Sequence, residues 1–335
     1  MRLPVVLVKH PACLAHGTGP DHPEAPERVT AILDALRADA DLGRDVLVEV
    51  DAQPVEVEDL LRVHGADHVA SVREVADRAR REGTQWIDPD TAASGDSFVA
   101  ALAAAGCAVT AAELVATGHA RAAFALARPP GHHASARRAA GFCLFNNVMV
   151  AARRLQAVGL ARRVLVVDWD VHHGDGTQAI AWDDPTTYYL SLHLFPHYPG
   201  TGAVFERGGG AGTGTIRNVP LSPGTGRVEY RHRFSEALGA SLREFEPDLV
   251  LVSAGFDCLA DDPLGGLLLE PEDLHDITQE LVERTRPSAE GRVVAVLEGG
   301  YVLDRVGLGA VNVIRALAGL PATTGRLAAA PHAPA

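Results

Sequence analysis

A group of carboxylates and imidazoles follows an apolar segment near the middle of the chain. After the apolar run Val164–Val167, three carboxylates and two histidines occur within eight residues, and Asp168, Asp170 and His172 are spaced two apart. The apolar run predicts a buried strand, and alternation along a strand would place these three side chains on one side. Burying charge is costly unless the charge is paired or bound to a metal. The spacing indicates that Asp170 and His172 bind a metal, although an isolated Asp-x-His is more often a hydrogen-bonded pair.

Asp257 is the third candidate ligand, because it follows another apolar stretch and a glycine stands two residues before it. One imidazole and two carboxylates leave positions for water and substrate, as catalytic zinc sites do. A metal held in this way polarises a carbonyl and lowers the pKa of a water molecule. We expect one metal rather than two, because Asp175 is out of register with His172 and no carboxylate stands two residues after Asp257.

Two adjacent histidines, His132 and His133, follow the rigid turn Pro129-Pro-Gly131. Histidine suits general acid–base chemistry because its pKa lies near neutrality. Each imidazole needs an orienting partner, and Asp168 and Asp175 are carboxylates that the metal does not use. The alternative interpretation is a pair of solvated loop histidines.

Aromatic residues supply the remaining candidate groups. Tyr301 stands on a glycine-rich turn and could donate a hydrogen bond to an oxyanion, although a lone tyrosine is more often packed with its hydroxyl exposed. Gly141, Phe142 and Tyr198 could line a narrow apolar channel for a linear chain, with ordinary core packing as the alternative. The glycine-rich run 208–214 lacks the lysine and the strand–helix context of a phosphate loop. Together these residue types suit metal-assisted hydrolysis of an amide.

The elements that must position these groups alternate along the chain. Strands are predicted at 4–9, 46–50, 122–127, 163–169, 187–193, 248–254 and 292–297. Helices are predicted at 26–38, 56–63, 66–82, 97–117, 145–158, 227–245, 271–285 and 303–318. This order predicts a three-layer α/β/α domain over residues 1–320, with a mostly parallel central sheet and a disordered tail at 321–335. Each polar cluster follows the carboxyl end of a predicted strand, where α/β sheets bind ligands.

Composition narrows the classes of function. Thirty basic and 43 acidic residues give a net charge of −13, which argues against direct nucleic-acid binding and leaves a cationic substrate open. Four scattered cysteines form no C-x-x-C pair, so we expect free thiols and a cytoplasmic protein. We also expect no signal peptide and no stretch long enough for a membrane helix. The oligomeric state stays open, homo-oligomers included.

These residues resemble the zinc-dependent histone deacetylase superfamily, in particular class II, which includes acetylpolyamine amidohydrolases and acetoin-utilisation proteins. The resemblance runs from about His10 to Tyr301 and into the last helix, and it implies an arginase/deacetylase-like fold. The motifs that carry it are Arg128-Pro-Pro-Gly-His-His133, Gly141-Phe-Cys-Leu-Phe-Asn-Asn147, Asp168-Trp-Asp-Val-His-His-Gly-Asp175, Pro199-Gly-Thr-Gly202, Ala254-Gly-Phe-Asp257 and Glu298-Gly-Gly-Tyr301.

The resemblance implies a role for each matching residue. It implies Zn²⁺, with Fe²⁺ left open, on Asp170, His172 and Asp257, and an acid–base pair at His132 and His133. The other residues it implies are Asp168 and Asp175 as partners of that pair, Tyr301 as oxyanion donor, Gly141, Phe142, Tyr198, Leu264 and Asp90 along an acyl-lysine channel, and Asp168, Asp170, His172, Ser191 and Leu192 around a potassium ion.

Two positions bear on the substrate. Asp175 stands where class II members often carry Asn or Gln, so the second histidine has a charged partner, which favours its protonated form. Leu264 stands where polyamine-specific relatives can carry an acidic residue, which favours acylated lysine as the substrate.

The predicted function is a zinc-dependent amidohydrolase that deacylates lysine side chains of a peptide or protein. The alternatives are an acetylpolyamine or other small acyl-amide hydrolase and, more remotely, a non-catalytic acyl-lysine-binding protein.

Overall fold

Apolar segments form most strands of the computed structural model, which describes residues 3–324. The strands are β1 Val5–Lys9, β2 Leu47–Asp51, β3 Gln85–Trp86, β4 Ala92–Ala93, β5 Ala122–Ala125, β6 Val164–Asp168, β7 Thr187–Leu194, β8 Ile216–Leu221, β9 Leu249–Ala254 and β10 Val293–Leu297. Eight of them form one sheet in the order β2-β1-β5-β10-β9-β6-β7-β8, and every neighbouring pair is parallel. β3 and β4 form a separate antiparallel hairpin.

Helices cover both faces of this sheet. They are α1 Glu27–Ala38, α2 Val57–Leu60, α3 Ala66–Glu82, α4 Ser97–Ala116, α5 Asn147–Ala157, α6 Asp175–Ala181, α7 Arg227–Glu244, α8 Pro271–Ala289 and α9 Leu303–Ala318. Strand side chains alternate between two cores: Val293, Ala295 and Leu297 of β10 pack with α1, α7, α8 and α9, whereas Val294 and Val296 pack with α3, α4 and α5. The predicted single three-layer α/β/α domain is confirmed.

The structure contains several short or polar elements that the sequence pattern did not predict. β8 carries Arg217, Asn218 and Pro220, which weaken the apolar signal and suit the sheet edge where this strand lies. α6 has only seven residues, too few for a helical period to show. The β3–β4 hairpin lies in the segment predicted as a loop, and each of its strands has two residues.

Helix α4 contradicts the expectation that no stretch reaches the length of a membrane span. Within residues 3–324, this one helix is long and apolar enough to cross a membrane by length and composition alone. It lies inside the fold, with 72% of the relevant window buried, and it packs on α5, β5 and β1. We therefore interpret its apolar character as that of a core helix.

The predicted disordered tail is described only in its first four residues. Residues 321–324 follow α9 without regular structure, and Thr323 exchanges hydrogen bonds with the Asn312 side chain (2.9 and 3.0 Å). Residues 325–335 lie outside the described part of the chain.

Candidate metal and acid–base site

The candidate side chains meet because their strands are neighbours. His132 follows β5, Asp168 ends β6, Asp257 follows β9 and Tyr301 follows β10, and these strands are consecutive in the sheet as β5-β10-β9-β6. Parallel strands present their carboxyl ends at one edge of a sheet. The sheet order therefore brings together residues that are far apart in the chain.

The loop after β6 carries two of the candidate metal ligands. β6 ends at Asp168, so Asp170 and His172 lie beyond the strand, and strand alternation is not what orients them. Instead, Asp168 Oδ1 accepts a hydrogen bond from the Asp170 amide (3.1 Å), and Asp170 Oδ1 accepts one from the His172 amide (2.9 Å). Aspartates commonly shape turns through such bonds two residues on.

The three predicted metal ligands converge on one buried point. His172 Nδ1 lies 3.0 Å from Asp170 Oδ1 and 3.3 Å from Asp257 Oδ2, and the three ligand atoms all lie within 4.8 Å of one another. The other carboxylate oxygens are held by the backbone: the Gly299 amide donates to Asp170 Oδ2 (2.8 Å) and the Val171 amide donates to Asp257 Oδ1 (2.9 Å).

These groups fit a divalent cation. Asp257 Oδ2 is buried and has no hydrogen-bond donor of suitable geometry within residues 3–324. Burial lowers the pKa of His172, but the carboxylates of Asp170 and Asp257 outweigh burial and raise it to about 10, so the local field favours positive charge. A Cβ atom on Gly299 would lie 2.1 Å from Asp257 Oδ2, so glycine leaves the space open. One imidazole and two carboxylates form a donor set that zinc accepts.

His132 is held by the end of β6. Its Nδ1 lies 3.1 Å from Asp168 Oδ2, which also accepts the hydroxyl hydrogen of Tyr189 (2.9 Å). Its Nε2 lies 3.8 Å from Asp170. Burial lowers the pKa of His132, but the carboxylates of Asp170 and Asp168 raise it well above its ordinary value. The imidazole is thus oriented with Nε2 toward the metal ligands.

His133 is held by the first residue of α6. Its Nδ1 lies 2.8 Å from Asp175 Oδ1, and the other Asp175 oxygen lies 3.5 Å from the Arg138 guanidinium. The rings of His132 and His133 are 4.0 Å apart between centroids. Burial and the neighbouring His132 lower the pKa of His133 to about 3, against the effect of Asp175. The predicted partners of both histidines are therefore in contact with them.

One cavity of about 350 Å³ opens onto these groups. Tyr301 lines it, with its ring 6.0 Å from the Phe142 ring in an edge-on arrangement. All five residues predicted for the channel also line it, and so do several that were not predicted. The lining residues are Asp90, Pro130, His132, His133, Gly141, Phe142, His172, His197, Tyr198, Pro263, Leu264, Gly265, Gly299 and Tyr301.

The two additional residues predicted for potassium lie in β7. Ser191 is the register partner of Asp168 in the neighbouring strand, and both Ser191 and Leu192 are buried. The Ser191 hydroxyl is hydrogen-bonded to His193 Nδ1 (2.8 Å). The structure thus places both residues beside the carboxyl end of β6.

A buried ion-pair network lies behind the cavity, and sequence patterns did not indicate it. Glu24 Oε1 accepts hydrogen bonds from Arg28 (3.0 Å) and Arg128 (2.8 Å), and all three residues are fully buried. Burial raises the pKa of Glu24, but the two guanidinium groups outweigh burial and lower it to about 2. Arg28 also donates to the carbonyls of Glu298 and Gly300, so the network supports the turn that carries the tyrosine.

Glu298 joins the histidine loop to the sheet. Its Oε2 accepts hydrogen bonds from the amides of Gly131 (2.6 Å) and His132 (3.1 Å), and its Oε1 accepts one from Ser253 Oγ (3.1 Å). His132, Cys143 and Glu298 also bring ligand-type atoms within 4.8 Å of one another. Because both Glu298 oxygens already accept hydrogen bonds, we interpret this group as structural.

Comparisons with known proteins point to one family. The model of the histone deacetylase domain matches residues 22–317. Histone deacetylase 10, chloroplastic, of Oryza sativa subsp. japonica is 36% identical over 316 residues, which cover 91% of this chain and 71% of that protein. Histone deacetylase clr3 of Schizosaccharomyces pombe is 38% identical over 316 residues, which cover 90% of this chain and 45% of that protein. The crystal structure of the HDA15 HD domain superposes with a TM-score of 0.87 at 36% identity, covering 97% of this chain and 91% of that one.

Proposed function

The chain belongs to the histone deacetylase family, and from this we propose that it is a zinc-dependent amidohydrolase that removes acetyl or other acyl groups from lysine side chains. One observation carries the proposal: a three-residue metal cradle, two carboxylate-backed histidines and a tyrosine all surround a single cavity. Metal-assisted amide hydrolysis needs these groups within reach of one carbonyl.

Asp170, His172 and Asp257 would hold the zinc ion, since their free donor atoms converge where Gly299 leaves space. Bound there, zinc supplies Lewis acidity toward the amide carbonyl and the attacking water. For potassium, we propose Asp168, Asp170, His172, Ser191 and Leu192, because the last two lie beside Asp168 across the β6–β7 pair.

The two histidines would transfer the protons of the reaction. Asp168 and Asp175 each bind an Nδ1 atom, which leaves the Nε2 atoms of His132 and His133 directed away from their carboxylate partners. One histidine takes a proton from the attacking water, and a histidine returns a proton to the leaving amine, which would otherwise be a poor leaving group. Tyr301 donates a hydrogen bond to the oxygen on which negative charge develops.

The cavity wall favours a linear aliphatic substrate. Phe142 and Tyr198 contribute aromatic side chains to the wall, and Leu264 contributes an aliphatic one. Among the residues that line the cavity, only Asp90 carries a carboxylate. An apolar wall would accommodate the methylene chain of acyl-lysine, and Asp90 could accept hydrogen bonds from the substrate backbone. The alternative is an acetylpolyamine, whose free amines Asp90 would attract.

The test is turnover of acetyl-lysine peptides by the zinc-loaded protein, with acetate release as the readout and a hydroxamate as inhibitor. We expect Tyr301→Phe and His133→Ala each to lower kcat by about a hundredfold or more, since oxyanion and acid–base groups contribute factors of this size. Wild-type turnover in both variants would contradict the mechanism. Higher kcat/KM for acetylspermidine than for the peptide would favour the alternative substrate, and zinc binding without any turnover would favour an acyl-lysine-binding protein.

A further inference from the structure

The loop between β9 and α8 carries Leu264 into the cavity wall, and a neighbouring carboxylate holds it there. Asp262 Oδ1 accepts a hydrogen bond from the Leu264 amide (2.9 Å), and Asp262 Oδ2 accepts one from the Tyr301 amide (2.8 Å). One side chain therefore binds the backbone of a channel residue and the backbone of the oxyanion donor. Asp262 is partly buried, whereas the adjacent Asp261 is exposed.

The Leu264 carbonyl is held by a residue of another loop, the one that follows β7. His197 Nε2 donates a hydrogen bond to the Leu264 carbonyl (3.0 Å). The His197 ring stacks on the ring of the metal ligand His172, with centroids 5.1 Å apart and planes 17° apart. Leu264 is thus connected through its amide to the tyrosine turn and through its carbonyl to the metal site.

We propose that Asp262 and His197 are positioning residues that form a clamp on Leu264, and that this clamp couples the width of the acyl channel to the placement of Tyr301 and His172. The inference rests on the proposed function and extends it to the origin of acyl-chain specificity. If the clamp loosens, the channel wall and the oxyanion donor shift together, so acyl preference and turnover change in the same variant. Misplacing a reacting group by about 1 Å can slow catalysis by about a hundredfold.

Asp262→Asn is the central test, because asparagine has one acceptor oxygen and must give up one of the two amide bonds. We expect kcat on acetyl-lysine peptide to fall about tenfold or more. We also expect the ratio of kcat/KM between octanoyl- and acetyl-lysine peptides to shift by about tenfold, a change of the size that pocket contacts produce. In a Tyr301→Phe background, the effect of Asp262→Asn on kcat should shrink to less than about twofold, because coupled residues are not additive.

Asp261→Asn is the matched control, since it removes a neighbouring carboxylate that makes neither bond, and asparagine tolerates the positive φ of 67° at this position.

Two substitutions separate the contacts of His197. His197→Phe keeps a stacking ring and loses the hydrogen bond to Leu264, whereas His197→Gln keeps a hydrogen-bond donor and loses the ring. We expect His197→Phe to shift acyl preference in the same direction as Asp262→Asn. Unchanged kcat and acyl preference in both variants would overturn the clamp.

Amide hydrogen exchange makes the clamp testable independently of turnover. Asp262→Asn keeps one of the two amide bonds, so exchange should rise in the peptide that contains Leu264 or in the one that contains Tyr301, and it should stay at the wild-type level in both peptides of Asp261→Asn. Unaltered exchange in both segments of Asp262→Asn would contradict the clamp even if the wild type proves active. Absence of wild-type turnover, together with raised exchange in either segment, would instead contradict the proposed function and support the clamp.

Discussion

His64 shows how a buried histidine is held in one protonation state. Its Nδ1 donates to the Ser135 carbonyl (2.9 Å), and its Nε2 accepts from the Asn146 amide (2.9 Å). Protonating Nε2 would turn the second contact into two opposed donors. Burial and the nearby His68 lower the pKa of His64 to about 3.

This arrangement predicts a loss of stability at mildly acidic pH. The folded pKa lies below the unfolded value of 6.5, so as the pH falls from 6.5 toward 3 the unfolded chain takes up a proton that the folded protein does not. The stabilisation is therefore complete above pH 6.5 and decreases below it, by about 2 kcal/mol at pH 5 for this one group. Urea unfolding of wild type and His64→Asn at pH 7 and pH 5 measures it.

Asparagine carries a donor and an acceptor but does not titrate in this range, so the pH-dependent loss of unfolding free energy should be about 2 kcal/mol smaller in the variant. Equal losses in the two proteins would show that His64 titrates normally in the fold.

Individual residues also mark where sequence prediction reached its limit. The metal ligands and both histidines stand in polar runs directly after apolar strands, so residue type and spacing indicated them. Glu298 also follows an apolar strand, but its role was not evident, because the residues that donate hydrogen bonds to it (Gly131, His132 and Ser253) are at least 45 residues away in the chain. His197 likewise binds Leu264, which is 67 residues away, and Asp262 binds Tyr301, which is 39 residues away.

At the scale of elements, strands and long helices were predictable because burial leaves an apolar pattern. β8 and α6 were missed because one is a polar edge strand and the other has seven residues. The sequence indicated the turn after β10 through Tyr301. The surrounding side chains constrain Gly299 of the same turn equally, because they leave no room for a Cβ atom. A Cβ atom on Gly299 would approach Asp257 Oδ2 to 2.1 Å and Asp170 Oδ2 to 2.7 Å.

Gly299→Ala should therefore weaken metal binding, because the added methyl group forces the two carboxylates apart. We expect zinc affinity to fall by at least about tenfold, the range seen when groups around metal ligands are altered. Zinc content by mass spectrometry, after competition with a chelator, provides the measurement. Gly226→Ala is the control, since its φ is −88° and, apart from the residue itself and its two chain neighbours, no heavy atom of residues 3–324 lies within 4 Å of the added Cβ. Equal zinc retention by the two variants would contradict the crowding argument.

At the scale of the whole molecule, net charge sets the long-range field. A net charge of −13 attracts cationic peptides. Salt screens this attraction, since the Debye length falls from about 30 Å at an ionic strength of about 0.01 M to about 8 Å at about 0.15 M. We expect kcat/KM for an arginine-flanked acetyl-lysine peptide to fall over this range more steeply than for an uncharged analogue. Stopped-flow or initial-rate measurements on both peptides test it. Parallel salt dependences would show that the surface charge does not guide the substrate.

The order of strands in the sheet has a consequence for how the chain is made. Among the strands of residues 3–324, β10 is the last to leave the ribosome, yet it lies between β5 and β9, in the middle of the sheet. Until it emerges, β2-β1-β5 and β9-β6-β7-β8 can form only as two half-sheets, each with an unpaired inner edge. Exposed edges favour wrong pairing between chains. The nascent protein thus passes through an interval in which no strand pairing joins its two half-sheets, and the insertion of β10 completes the sheet and brings Tyr301 to the site.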